Sequence, residues 1–207
     1  MSATPTRLYL IRHAEVAVPY QRVFAGRLDI ELSEHGHQQA RALVPWLTSL
    51  APRAVYASPM LRVRQTLEPW LRNGGPTPVL CPELREVDFG EWTGVGWDEV
   101  QARFGQSPWD WLALLEQNAI RAAEPCEAFR SRVAACLERI LQEQPGRTVA
   151  VVCHGGVIRM ALAWLCQWSL AATASLAIDY ASVTRVAVHN PRVEIELLNY
   201  QPWQPNP

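Results

Sequence analysis

Lysine is absent from this chain of 207 residues, and all 19 of its basic side chains are arginine. That excludes Schiff-base chemistry and phosphate loops built on a lysine. Cysteine is sparse and poorly spaced for metal work. The five residues at 81, 126, 136, 153 and 166 form no CxxC pair, and their number is odd. Disulfides and a zinc site are therefore disfavoured, and a reducing, cytoplasmic setting is expected. Cys136 and Cys153 sit in apolar patterns and read as small buried hydrophobes. No uninterrupted apolar run approaches the ~18 residues of a membrane span, so no membrane association is expected. The stretch before the first strand, residues 1–6, is short and polar and carries no signal-peptide pattern. There is no basic run, and the formal net charge is −1. Nucleic acid is thus an unsuitable partner.

What is present suits one globular domain. Apolar residues make up 49% of the chain and charged residues 19%, enough for a packed core and too little charge for disorder. Strand-like runs at 7–12, 54–57, 79–81 and 149–153 alternate with helical patterns at 33–50, 60–71, 129–140 and 157–168. Ser33 is placed as an N-cap, and Pro45 is expected to kink or break the first helix. Residues 182–189 and 193–198, split at Asn190-Pro191, read as a hairpin. This alternation predicts an α/β fold, a three-layer α/β/α sandwich around a mostly parallel sheet. One domain is expected over residues 1–200, with a loose tail at 201–207 that carries three prolines.

Residues 86–127 differ from the rest. They hold Trp92, Trp97, Trp109 and Trp111, and nine carboxylates against two arginines. Such a long insertion reads as a helical lid, its tryptophans mostly in the core and one or two facing the cleft.

Two strands end in unusual chemistry. Leu8-Tyr9-Leu10-Ile11 runs into Arg12-His13-Ala14, and Val149-Ala150-Val151-Val152-Cys153 runs into His154-Gly155-Gly156. If the strands are parallel neighbours, both imidazoles and the arginine meet at the carboxyl edge of the sheet, where such folds bind ligands. Helix N-termini there would add donors for a phosphate.

Two further segments join these. One is Ser58-Pro59-Met60-Leu61-Arg62-Val63-Arg64-Gln65-Thr66; the other is Leu84-Arg85-Glu86-Val87-Asp88-Phe89-Gly90-Glu91-Trp92-Thr93-Gly94. In this order the four resemble the histidine phosphatase superfamily, the phosphoglycerate mutase-like family. Gly26 with Leu32-Ser33-Glu34-His35-Gly36, and Pro125-Cys126-Glu127-Ala128-Phe129, resemble two of its minor elements. The likeness spans residues from about 7 to 200, and four motifs in sequence make it specific.

The resemblance implies that His13 takes the phosphoryl group, because a neutral ring nitrogen attacks without losing a proton. Arg12 and Arg62 would hold the equatorial oxygens with planar, permanently charged donors. His154 would donate a further hydrogen bond or charge. Ala25, Gly26 and Gly155 would line the bound phosphate. Glu86 would protonate the leaving oxygen and then activate water. Side chains would supply the charge that magnesium supplies elsewhere, so neither a metal nor another cofactor is expected. Arg64, Glu83, Asp88 and Glu91 compete for these roles, and motif position alone selects Arg62 and Glu86. His35, His37 and His189 are expected to be structural.

The chain departs from the family pattern at Ala14, Val16 and Pro19, which puts two phosphate contacts in question. An acidic lid should repel a polyanion, and its tryptophans suit an apolar or aromatic leaving group. The expectation is therefore a phosphomonoesterase acting on a small phosphorylated metabolite. Size and the segment from Leu84 onward resemble the smaller bacterial phosphatases of the family, those acting on α-ribazole phosphate among them. Phosphoglycerate mutation and a weakly catalytic phospho-ligand binding role are the alternatives, and a homodimer is compatible with either.

Overall fold

The computed structural model describes residues 4–189 and 191–204. Six strands form one sheet: β1 (Thr6–Arg12), β2 (Ala54–Ala57), β3 (Val79–Leu80), β4 (Thr148–Cys153), β5 (Val183–Val188) and β6 (Val193–Tyr200). Their spatial order is β3-β2-β4-β1-β5-β6. The first four run parallel, and β5 and β6 add an antiparallel edge. The expected hairpin is present; Asn190, at its turn, lies outside the described residues.

The middles of the central strands, Leu8 to Ile11 and Val149 to Cys153, are continuously apolar because both faces are covered. On one face, Leu8, Leu10, Val149, Val151 and Cys153 pack with helices α5 (Cys126–Glu143) and α6 (Gly155–Cys166). On the other, Tyr9, Ile11, Ala150 and Val152 pack with α1 (Glu34–Leu50) and α2 (Leu61–Arg72). The result is the three-layer sandwich that the alternation of patterns predicts. Truncating one of the fully buried leucines to alanine would cost roughly 2–5 kcal/mol. Among the described residues, no helix is long and apolar enough to cross a membrane.

Of the kink or break expected at Pro45, the break does not occur: helix α1 runs on through it. Pro45 and Arg41 are both exposed, so the carbonyl that loses its helical partner faces water rather than the core. Residues 86–127 contain α3 (Trp97–Phe104) and α4 (Trp111–Glu116). Trp92, Val95, Val100, Leu112, Leu115 and Ile120 from this stretch join the core over α5 and α6. Of the expected tail, residues 201–204 are described. Trp203 packs against the second core, edge-on to His35 at 5.6 Å between ring centroids, while residues 205–207 lie outside the described residues.

The N-terminus of α1 is docked on the loop that follows His13. Ser33 Oγ accepts from Gly36 N at 2.9 Å and donates to Glu15 Oε1 at 2.6 Å. A Cβ on Gly36 would lie 2.0 Å from the Glu15 carbonyl oxygen, so only glycine permits this approach. Ser33→Ala loses both the cap and the anchor. It is expected to lower the unfolding free energy by about 1–2 kcal/mol, measured by urea titration; an unchanged midpoint would contradict the docking.

Candidate active site

Strands β1 and β4 are paired in parallel with Arg12 opposite Cys153, so His13 and His154 follow directly from adjacent strand ends. His13 N donates to Cys153 O at 3.0 Å. The two imidazoles lie edge to face with centroids 5.2 Å apart. The sequence reading anticipated this convergence.

Arg62 reaches the pair from the first turn of α2. Its Nε donates to His13 Nε2 at 3.3 Å and to His154 Nδ1 at 3.2 Å. Its terminal nitrogens donate to Leu28 O at 2.8 Å and Gly26 O at 2.9 Å. Arg64, two residues on, is exposed, so the helix itself selects Arg62 for the site. The guanidinium is buried, which lowers its pKa to about 10; Glu86 opposes this shift and Arg12 adds to it. It remains charged at neutral pH.

The tautomer of His13 follows from its partners. Nδ1 lies 2.8 Å from the Ala14 carbonyl, which can only accept. Nδ1 therefore carries the proton, and Nε2 presents its lone pair to Arg62. Burial pushes the His13 pKa well below its ordinary value, and the charges of Arg62 and Arg12 push the same way. The ring is neutral. His154 is fully buried and is lowered by burial, then by Arg62. Its Nε2 bonds Ser58 Oγ at 2.8 Å, and its Nδ1 accepts from Arg62. In this arrangement His154 accepts a hydrogen bond rather than donating the one expected of it.

Arg12 lies beside the pair. Its NH1 donates to Ile178 O at 2.6 Å, its guanidinium sits 4.0 Å above the Tyr180 ring, and its Nε has no partner among the described residues. Gly155 packs against it: a Cβ there would lie 3.5 Å from Arg12 Nε. Ala25, Gly26 and Gly155 all line the same cavity as His13.

Glu86 enters at the N-terminus of α6. Its Oε2 accepts from Gly156 N at 3.1 Å and its Oε1 from its own neighbour, Val87 N, at 3.0 Å. A Cβ on Gly156 would come within 2.5 Å of Glu86 Oε1, which explains the second glycine of His154-Gly155-Gly156. The rival acids are engaged elsewhere. Glu83 pairs with Arg139, Asp88 accepts from Gly90 N, and Glu91 pairs with Arg121.

Arg12, His13, Arg62, Glu86, Gly155 and Gly156 floor a cavity of about 450 Å³, which His154, fully buried behind them, does not line; its size is within the range of small-molecule sites. Its walls are aromatic. Trp97 stacks on Phe24 at 5.2 Å, Trp109 stands edge-on to Trp97 at 4.9 Å, and Trp111 is edge-on to Phe89 at 5.4 Å. All five rings line the cavity, so three tryptophans face it where one or two were expected. Trp109 is 67% exposed and forms the lip.

The acidic character assigned to the lid does not reach the cavity. Of the nine carboxylates in residues 86–127, only Glu86 lines it, beside Arg12, Arg22, Arg62 and Arg159. Asp98 pairs with Arg22, Glu116 accepts from Leu170 N, and Glu124 pairs with Arg132. Composition alone could not reveal that these charges were committed. Ala14 is buried in the second core and has no positive φ, Val16 turns its methyl groups to the cavity, and Pro19 does not line it.

Tyr180 and Arg159 were missed in the sequence. Tyr180 supports Arg12 and lies 5.6 Å from the His13 ring. Arg159 reaches the cavity while its NH2 donates to Leu176 O at 2.8 Å. Tyr180 sits in an irregular loop with no periodic signal. Arg159 is a single charge on an otherwise apolar helix, with no spacing that singles it out. Among the described residues, one group could hold a metal ion: Cys81, Glu83 and Cys136. Arg139 already occupies it, donating to Cys81 Sγ at 3.4 Å and Glu83 Oε1 at 3.3 Å, and none of the three lines the cavity.

The model of the histidine phosphatase superfamily (branch 1) matches residues 8–201, and the chain belongs to that family. Phosphoserine phosphatase 1 of Hydrogenobacter thermophilus is 26% identical over 193 residues, which cover 93% of this chain and 92% of that protein. The adenosylcobalamin/α-ribazole phosphatase of Escherichia coli K12 is 25% identical over 197 residues, covering 93% and 95%. A mycobacterial glucosyl-3-phosphoglycerate phosphatase, solved with VO3, superposes with a TM-score of 0.80 at 27% identity, covering 93% of this chain and 98% of that one.

The two neutral imidazoles predict a pH dependence. The unfolded chain takes up their protons near the ordinary value of about 6.5, whereas the folded chain resists until lower pH. The unfolded state then holds more protons, so acid favours unfolding. Stability is expected to fall as pH drops below about 6.5, by up to ~1.4 kcal/mol per pH unit for each ring. Urea titrations on either side of that pH check this. The double variant His13→Gln/His154→Gln should lose the dependence in that window; a slope equal to that of the unaltered chain would contradict the assignment.

Proposed function

We propose that this chain hydrolyses a phosphomonoester of a small metabolite through a phosphohistidine on His13. One observation carries the reading: the Nδ1 proton of His13 is held by the Ala14 carbonyl, which leaves a neutral nucleophilic Nε2 against the buried guanidinium of Arg62. Substrate phosphate takes over the Nε–H of Arg62 and the unpartnered Nε–H of Arg12. Nε2 then forms a bond to phosphorus as the P–O ester bond breaks. Glu86 gives its proton to the departing oxygen. In the second half Glu86 removes a proton from water, whose oxygen attacks the same phosphorus and releases inorganic phosphate and free His13. A dianion between the rings favours a proton on His154 Nδ1, converting that nitrogen from acceptor to donor. Two arginines carry the charge neutralisation, so no step calls for a metal or cofactor.

The aromatic wall favours a flat, apolar alcohol portion. α-Ribazole phosphate, with its benzimidazole base, is a substrate of that kind. Phosphoserine is small and zwitterionic and would leave the tryptophans unused. Arg22 adds no free cation for a second phosphate, because Asp98 pairs with it.

p-Nitrophenyl phosphate tests the chemistry. His13→Ala is expected to abolish turnover, and EDTA is expected to leave the unaltered enzyme's rate unchanged; a chelated enzyme revived by added metal would refute the mechanism. Binding of phosphate without turnover would instead favour the regulatory alternative.

The wall is tested by 2-phenylethyl phosphate against butyl phosphate, whose leaving alcohols are of similar acidity. Trp109→Ala is expected to lower kcat/KM about tenfold for the aromatic ester and little for the alkyl one. Equal losses on both esters would remove Trp109 from substrate recognition.

A further inference from the structure

Glu86 stands in a stretch with no regular ladder to hold its backbone. The carbonyls of Glu83, Arg85 and Glu86 all turn to a single side chain outside the cavity, Arg132 on α5. Its NH1 donates to Glu83 O and, at 2.7 Å, to Arg85 O; its NH2 donates to Glu86 O at 3.3 Å. The same guanidinium is fixed by a two-pronged ion pair with Glu124, Nε to Oε1 at 2.6 Å and NH2 to Oε2 at 2.8 Å. Both side chains are largely buried, at 16% and 9% exposure. Glu124 continues the grip beyond Glu86, since its backbone N donates to Asp88 O at 2.9 Å and its Oε2 accepts from Asp88 N at 3.4 Å.

Glu124 also reaches the other half of the site. Arg27 approaches its Oε1 at 3.2 Å. Arg27 lies between Gly26 and Leu28, whose carbonyls hold the two terminal nitrogens of Arg62. Glu124 thus touches this loop as well, but Arg62 is held there by main-chain carbonyls and not through the half-exposed Arg27.

We infer that Arg132 and Glu124 form a clamp that positions Glu86 for proton transfer to the leaving oxygen. This rests on the reading of Glu86 as the proton donor. Neither residue touches substrate; both act through the backbone on either side of Glu86. A five-donor planar fork is needed to satisfy three carbonyls and a carboxylate together. Lysine would keep the charge and lose the geometry.

The test measures kcat/KM, which reports transfer to His13 up to release of the alcohol, for p-nitrophenyl, phenyl and butyl phosphate. It compares the unaltered enzyme, Arg132→Lys, Glu124→Gln, Glu86→Gln and the double variant Arg132→Lys/Glu86→Gln. Inhibition by inorganic phosphate and thermal midpoints are recorded in parallel. Displacing a general acid should matter most where the leaving oxygen needs a proton. Arg132→Lys and Glu124→Gln are each expected to lose about tenfold or more on butyl phosphate and little on p-nitrophenyl phosphate, with the phosphate inhibition constant nearly unchanged. On butyl phosphate the double variant should fall no further than Glu86→Gln alone, because the clamp works only through that carboxylate.

A loss equal on all three esters, a weakened phosphate affinity, or losses that multiply in the double variant would each overturn the clamp. If Arg132→Lys does not fold, the isosteric Glu124→Gln decides by the same criteria. If the unaltered enzyme hydrolyses none of the esters, the reading of the site falls first and the clamp with it. Hydrolysis by the unaltered enzyme with evenly impaired variants sinks the clamp alone.

Discussion

A single buried guanidinium organises this site. Arg62 touches both imidazoles through one nitrogen and the loop at 26–28 through the other two. Its charge is one reason the histidines stay neutral; burial is the larger one. A nucleophilic ring must be both uncharged and correctly oriented, and Arg62 with the Ala14 carbonyl secures both conditions. Truncating it would free the loop, leave two imidazole lone pairs without a donor, and remove the charge that a phosphoryl group would meet.

The fold supplies that arrangement cheaply. Adjacent parallel strands end side by side, so two residues far apart in sequence need only follow their strands to meet. Helix α6 begins at the same edge, with Gly155 and Gly156 on the cavity, where backbone N–H groups and the helix dipole favour an anion. Gly156 then lets the Glu86 carboxylate occupy the start of α6, at a distance no larger residue would allow. Each device is local, yet Glu86, His13, Arg12 and Arg62 all meet at one edge of the sheet.

Much of this was legible in the sequence because it is carried by strand ends and short motifs. The runs into His13 and His154 announced both their strands and their convergence. Arg62 could be chosen over Arg64 by motif and is confirmed in its place by helical phase. Other features depend on contacts that no period encodes. Tyr180 lies in an irregular loop and matters only because Arg12 folds over it. Ser58 belonged to a motif, yet its bond to His154 is a three-dimensional fact. Cys81 and Cys136 meet beside Arg139 although their spacing suggests nothing. The lid's charge misled for the same reason, since a carboxylate that caps a helix or pairs with an arginine contributes little to the field of a cavity it does not face. Pro45 does not break α1, because the cost of proline in a helix depends on whether the orphaned carbonyl meets water.

The balance of charge and apolar surface also shows how the cavity divides its work. Arg62 is buried with carbonyls and neutral rings for partners, not with a carboxylate in direct contact. Such a charge costs several kcal/mol to bury, only partly offset by its hydrogen bonds. Its lowered pKa is the trace of that cost. It also starts a helix, where a cation is disfavoured. An arriving dianion relieves all of these penalties at once, and that relief is unavailable to a neutral ligand. On the proposed function the floor would discriminate by charge, while the wall of Phe24, Phe89, Trp97, Trp109 and Trp111 would discriminate by shape. Recognition of the phosphoryl group and of what it is attached to would then be separable, since the wall and the floor share no side chain.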